Sequence, residues 1–300
     1  MINIMYHYVR NYNKSYPYFK YLKKKTFLNQ IKKFEKKNGI ISNKFEIDTC
    51  PNKFLLTFDD GTKDHFEVAK ILKKRGHTGI FFISTMPYIK KRLLDVHLIQ
   101  LISSKMKSKD LLNELSLILK KKKINYIFNK FVKKNKKKEI YNRDDNNIRY
   151  FKSFLNYETD TKVRKIIINH FVKKFKINIK VKDFYLTKNE IIKMKKMGMI
   201  IGSHGYSHEI LSKLSFNQQK NEIIGSKKYL EKIINSKVDF FCYPYGKSFT
   251  YNRKTLNVLR KSEYKYSFTG NNGILKKTSK KILKSKMYLL PRIDTNNIII

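Results

Sequence analysis

The chain has 300 residues, 41% of them hydrophobic and 14% aromatic, with a formal net charge of +44 and a pI near 10.0. That length and apolar content argue for a folded protein and predict one large domain, or one domain carrying an insertion. Two cysteines, Cys50 and Cys242, exclude a framework of disulfides and a Cys-x-x-Cys metal pair, and no 18-residue uncharged apolar run predicts a membrane span.

The positive charge is mostly Lys, spread over nearly the whole length beside abundant Asn and Ile, as solvated helix faces would be. No zinc finger, RNA-recognition signature or basic zipper accompanies it, so no specific nucleic-acid partner is expected. A diffuse field of this kind suits peripheral attraction to an anionic membrane surface or to a phosphate-linked substrate. The opening Met-Ile-Asn-Ile-Met-Tyr-His-Tyr-Val-Arg has neither a basic region before a long apolar stretch nor a small-residue cleavage site. No secretory signal is expected from it, and the default location is cytoplasmic.

In chain order, Ile2 to Tyr8 predicts a first strand with His7 near its carboxyl end. Lys20 to Lys37 carries Phe27, Leu28, Ile31 and Phe34 at helical spacing, with Gly39 as a stop. Phe54-Leu55-Leu56-Thr57-Phe58 predicts a buried strand that breaks off at Asp59-Asp60-Gly61. A helix over about Phe66 to Arg75, closed by Gly76, leads to the strand Gly79-Ile80-Phe81-Phe82-Ile83. This β-α-β order implies parallel pairing.

Residues 86–185 break the rhythm and predict a helical insertion that packs over the barrel and shapes a substrate cleft. Its three amphipathic helices are marked by Leu111, Leu112, Leu115, Ile118 and Leu119, by Ile124, Ile127, Phe128, Phe131 and Val132, and by Val163, Ile166, Ile167, Phe171 and Val172. Asn142 to Asn147 reads as a polar loop within it. From Lys188 the alternation resumes, with strands at Met199–Ser203, Phe240–Tyr243 and Tyr266–Phe268 between helices over about 188–196, 217–234 and 252–261. Tyr288-Leu289-Leu290-Pro291-Arg292-Ile293-Asp294 is the last segment.

Three of these strands run into polar loops, at Asp59-Asp60-Gly61, at His204-Gly205-Tyr206-Ser207-His208 and at Tyr243-Pro244-Tyr245-Gly246. Asp-Asp-Gly is also ordinary turn chemistry, and a lone His-x-x-x-His is common on surfaces. Together, at the carboxyl ends of parallel strands, they predict one assembled site. Two His at i and i+4 with one carboxylate make a three-ligand set of the catalytic zinc type, which suits hydrolysis. The neighbouring carboxylate, turned elsewhere, is then available to take a proton from water.

These residues resemble the polysaccharide deacetylase family, also called the NodB-homology domain or carbohydrate esterase family 4. The likeness rests on Thr57-Phe58-Asp59-Asp60-Gly61, Ser203-His204-Gly205-Tyr206-Ser207-His208 and Tyr243-Pro244-Tyr245-Gly246, in that order, and covers about 54–85 and 186–295. It implies an α/β fold, a distorted (β/α) barrel interrupted by the helical insertion: 1–85 and 186–300 form the barrel and 86–185 the insertion. The implied activity is metal-dependent removal of an N-acetyl or O-acetyl group from a sugar, with zinc as the expected ion and a surface glycan or its precursor as the expected substrate. Carried over by position, Asp59 is the expected general base, Asp60, His204 and His208 the metal ligands, and Tyr245 the residue whose backbone N–H holds the oxyanion.

The chain departs from the family pattern twice. Cys242 stands where an Arg usually orients the base, which makes Arg292 a candidate for that task. No His follows His208 to act as general acid, which makes His7 a candidate. His65, His77, His97 and His170 read as structural or solvent-facing. The departures leave two alternatives open, a sugar-binding barrel without turnover and a hydrolase of other non-peptide C–N bonds in small amides.

Overall fold

Strands form here where short runs of Phe, Ile and Leu can be buried on both faces, the pattern of a parallel sheet covered by helices. The computed structural model describes residues 1–134, 144–274, 287–295 and 298. Two compact units emerge, one of Met1–Asn11, Tyr21–Arg92 and Lys180–Ile300, the other of Tyr12–Lys20 and Leu93–Ile179.

In the first unit, the described residues form one seven-stranded parallel sheet. Its strands are β1 (Ile2–Tyr6), β2 (Phe54–Phe58), β3 (Ile80–Ile83), β4 (Ile200–Ser203), β5 (Phe240–Cys242), β6 (Tyr266–Phe268) and β7 (Ile293–Asp294). Their spatial order is β6-β5-β4-β3-β2-β1-β7. Leu290 also bridges in parallel to Phe268, while Ile293 and Asp294 pair with Ile4 and Met5. The last segment therefore meets both edges, and the curled sheet closes as the distorted (β/α) barrel that the sequence predicts.

The two-residue period of the strands sorts side chains into two cores. Ile4, Tyr6, Leu56, Phe58, Phe81, Ile83, Ile201 and Phe241 face outward, packed with Phe27 and Ile31 of the helix Lys24–Lys37 and Val68 and Leu72 of the helix His65–Lys74. Leu55, Ile80, Phe82, Ile200, Phe240, Cys242 and Phe268 fill the inside. Gly202 sits in that inner layer because a Cβ there would lie 2.5 Å from Cδ1 of Phe82. A Gly202→Ala protein is expected to lose about 1–3 kcal/mol of unfolding free energy, read by urea denaturation; wild-type stability would refute the close packing.

The second unit is helical and has its own core of Leu111, Leu115, Ile118, Phe131, Phe151, Phe154, Ile167, Ile168 and Phe171. Its helix Thr161–Lys174 buries Arg164, Ile167, Ile168 and Phe171, leaving Ile166 exposed. The difference from the apolar pattern has a plain cause. Arg164 is drawn inward by Asp95, with Nε 3.0 Å from Oδ2, and this charged pair turns the buried face toward Ile168. Asn142 and Arg143 of the predicted polar loop lie outside the described residues. The loop gives way at Asn146, because the Asp145 carboxylate accepts from Asn147 N and Ile148 N and caps the helix Asn146–Ser153. Among the described residues, no helix is long and apolar enough to cross a membrane.

Candidate active site

Every residue singled out for chemistry belongs to the barrel unit, and all but Arg292, which directly precedes β7, lie beyond the carboxyl ends of its strands. Counting by twos along β2, Leu55 and Thr57 point inward, and so does Asp59. Its backbone N–H extends the strand ladder to Tyr6 O at 3.0 Å. The chain then turns at Asp60, where φ is +79°. His208 and Tyr245 also hold left-handed backbone, each at φ +61°. Each of the three loops thus carries one non-glycine residue in that costly region, which Lys91, Lys123, Lys176, Asn235 and Glu263 also occupy elsewhere.

Arg292 reaches Asp59 from the last segment. Its Nη1 donates to Asp59 Oδ1 and its Nη2 to Oδ2, both at 2.7 Å. The remaining guanidinium hydrogens go to Thr269 O at 2.8 Å, Thr57 Oγ1 at 3.1 Å and Cys242 Sγ at 3.0 Å. All five donors of a side chain only 1% exposed are thus used. Burial pushes the Asp59 carboxyl up, but the Arg292 charge and its hydrogen bonds outweigh that and bring it down to about 2. The Cys242 thiol moves the other way, pushed well up by burial. Cys242 therefore stands at its position as a neutral acceptor, and the cation beside Asp59 comes from Arg292.

The second cluster is Asp60, His204 and His208. The Nε2 atoms of both histidines lie 3.5 Å from Asp60 Oδ1, all three residues are buried, and their ligand atoms fall within 4.8 Å of one another. The donor set suits a divalent cation. His204 Nδ1 lies 2.9 Å from Cys242 O, and a carbonyl only accepts, so Nδ1 carries the proton and Nε2 presents its lone pair. Burial lowers the His204 pKa despite the two nearby aspartates, which favours this neutral form. The His204 and His208 rings meet edge to face at 4.8 Å, as do those of His208 and Tyr245.

His7 lies on the open side of Asp59, with Nε2 3.9 Å from Oδ2 and 44% of its side chain exposed. Two residues just after the Asp59-Asp60-Gly61 turn hold its stretch of backbone. His65 Nε2 donates to His7 O at 2.6 Å, and Asp64 Oδ2 accepts from Val9 N at 2.7 Å. Asp64 Oδ1 also accepts from Arg10 Nη2 at 2.6 Å. His65 is fully buried.

Sequence reasoning quoted Thr57 in the first motif without giving it a task, gave His65 none in particular, and overlooked Thr269 and Asp64. Only Thr57 left a usable signal, being two residues before Asp59 and hence on the same face of the strand. His77 pairs with Glu35 and His170 with Glu114.

A family model described as polysaccharide deacetylase matches residues 46–267. Over 89 residues, 30% of this chain, the sequence is 30% identical to YxkH of Bacillus subtilis, a protein named provisionally for the same activity; the match spans 31% of that relative, under a third of its length. Among solved structures, the Streptococcus pyogenes deacetylase PplD, in complex with acetate, is 17% identical, with 98% of this chain and 91% of PplD covered at a TM-score of 0.59. BC0361, a polysaccharide deacetylase from Bacillus cereus, is 16% identical, with 98% and 64% covered at 0.55. Likeness at this identity shows the fold.

Proposed function

This chain belongs to the polysaccharide deacetylase family, and from that premise we propose that it is a metal-dependent carbohydrate deacetylase acting on an N-acetylated or O-acetylated sugar. The observation that carries the proposal is the convergence of Asp60, His204 and His208 beside an Asp59 held by Arg292. Those three would hold a divalent cation, zinc by the chemistry of two imidazoles and one carboxylate. When bound, the cation supplies Lewis acidity toward the acetyl carbonyl and makes a nearby water easier to deprotonate.

The rest of the reaction falls to the chain's own groups. Asp59, kept ionised by Arg292, takes one proton from water as the oxygen adds to the acetyl carbon. The Tyr245 backbone N–H steadies the charge that gathers on the acetyl oxygen. His7, partly exposed and next to Asp59, returns a proton to the departing nitrogen as the C–N bond breaks. Acetate and a free amine result. The substrate is a surface glycan or its precursor, and the strongly basic surface suits one carrying phosphate or another anion.

Acetate release from N-acetylated oligosaccharides tests the proposal. Protein stripped with a chelator is expected to lose acetate release and to regain it with added zinc, while His204→Ala stays inactive at any zinc concentration. Equal release by stripped, reloaded and His204→Ala protein would refute it. A parallel screen of small ureides separates the two hydrolase classes, since turnover of ureides alone would reject the sugar substrate.

A further inference from the structure

Building on the metal triad proposed above, we infer that Glu222 is a positioning residue that sets the affinity of that triad by clamping the loop between His204 and His208. Glu222 is buried, with 6% of its surface exposed, and takes no part in the chemistry described so far. Its Oε2 accepts from Tyr206 N at 2.9 Å and from Ser207 N at 2.8 Å, while its Oε1 accepts from the Ser207 hydroxyl.

The backbone of the loop is thereby accounted for nearly atom by atom. Its amides point to Glu222, and its carbonyls are bound from the opposite side, Gly205 O by Thr85 N at 3.2 Å and Tyr206 O by Met86 N at 2.8 Å. The Gly205 amide goes to Ser203 Oγ at 3.2 Å, and that hydroxyl lies 2.7 Å from Ser226 Oγ. Ser226 is one helical turn beyond Glu222, so one segment supports both the end of β4 and the apex of the loop.

Two features mark the clamp as built. Glu222 sits in a π-helical turn, Asn221–Gly225, a rare conformation that concentrates at functional sites. Gly205, at φ +78°, lets the loop come so near that a Cβ would stand 3.3 Å from Glu222 Oε2. His208 follows directly after the clamped Ser207, at φ +61°. A left-handed conformation is costly for His, and without the carboxylate the loop can relax to ordinary backbone and carry the imidazole away from Asp60.

The test measures metal binding rather than turnover, on the full chain stripped of metal. Zinc affinity is read by competition with a chromophoric chelator, and ligand geometry by the visible spectrum of the cobalt(II) form. Glu222→Leu is expected to bind zinc about 10- to 100-fold more weakly, with an altered cobalt spectrum, the usual loss when a group supporting a ligand is removed. Glu222→Gln, which keeps a carbonyl oxygen for the two amides, is expected to recover most of that affinity. Wild-type affinity and spectrum in Glu222→Leu would overturn the inference. Should Glu222→Leu not fold, Ser207→Ala decides, with a several-fold weakening expected and unchanged affinity overturning it. A failure of the triad itself is read separately: wild type and His204→Ala would then both take up no stoichiometric cobalt, and the clamp would fall with it. Uptake lost in His204→Ala but unchanged in Glu222→Leu sinks the clamp alone.

Discussion

An Arg292→Met protein is expected to lose about 3–5 kcal/mol of stability at pH 7 together with nearly all acetate release, because one partner of a buried ion pair is removed and the other is stranded. Asp59 and Arg292 are 3% and 1% exposed at their side chains, so solvent cannot screen the loss. The pH dependence gives the sign. In the wild type the Asp59 carboxyl is depressed to about 2, so the pair contributes fully above the unfolded carboxylate value near 4 and loses its contribution as pH falls toward 2. Without Arg292 the chief downward pull is gone, and burial pushes that carboxyl up against only the weaker pulls of His204 and His7. The contribution of Asp59 then reverses, being most favourable in acid and lost as pH rises. Urea denaturation of both proteins at pH 4 and pH 7 checks this. The double variant Asp59→Asn/Arg292→Met, with neither charge left inside, is expected to regain part of the stability. An Arg292→Met protein as stable as wild type at pH 7 would show that the pair contributes nothing.

For Asp59→Asn the expected result is a fall in kcat of about 100- to 10,000-fold, the range for removing a general base, with KM and zinc affinity close to wild type. Asn keeps the shape and one acceptor for the Arg292 fork but cannot take a proton. Because the wild-type carboxyl is held near 2, it is ionised throughout the neutral range, and no acid limb near pH 4 is expected from it. Initial rates of acetate release at saturating zinc, with denaturation curves as a control for folding, give the measurement. Turnover within about ten-fold of wild type would remove Asp59 from the proton-transfer step. A sugar-binding barrel would look different, with retained affinity in Asp59→Asn and no turnover in either protein.

The parts of the fold that could be read in advance are those where one physical signal dominates. Phe54–Phe58 and Ile80–Ile83 are short apolar runs flanked by turn residues, and each is a buried strand. The helix ends before Gly39 and Gly76 were equally plain, with the α-helices stopping at Lys37 and Lys74. What stayed hidden depends on charges meeting across long stretches of chain. Arg164 carries no apolar mark, and its burial beside Asp95 is why the helix face read toward Ile166 lies toward Ile168 instead.

The candidate site divides along the same line. Asp59, Asp60, His204 and His208 announce themselves by type and spacing. Glu222 does not, since a glutamate on a helix beside Lys220 and Asn221 carries no mark of burial. Nor does Asp64, whose contact with Val9 exists only because β1 and β2 are neighbours. The left-handed backbone at Asp60, His208 and Tyr245 has no compositional trace either, because tertiary contacts, not local preference, impose it.

The last segment also fixes when the Asp59–Arg292 pair can first form. Arg292 is 233 residues beyond Asp59, so their contact belongs to the most non-local class in the chain, and ordering the intervening polypeptide must precede any energetic return from it. Ribosomal synthesis runs toward the carboxyl end, so β2 through β6 emerge with Asp59 lacking its counter-ion. A nascent chain released short of residue 292 would hold both histidines and both aspartates and still lack the fork that keeps Asp59 ionised. The pair therefore forms late, once the final strand docks.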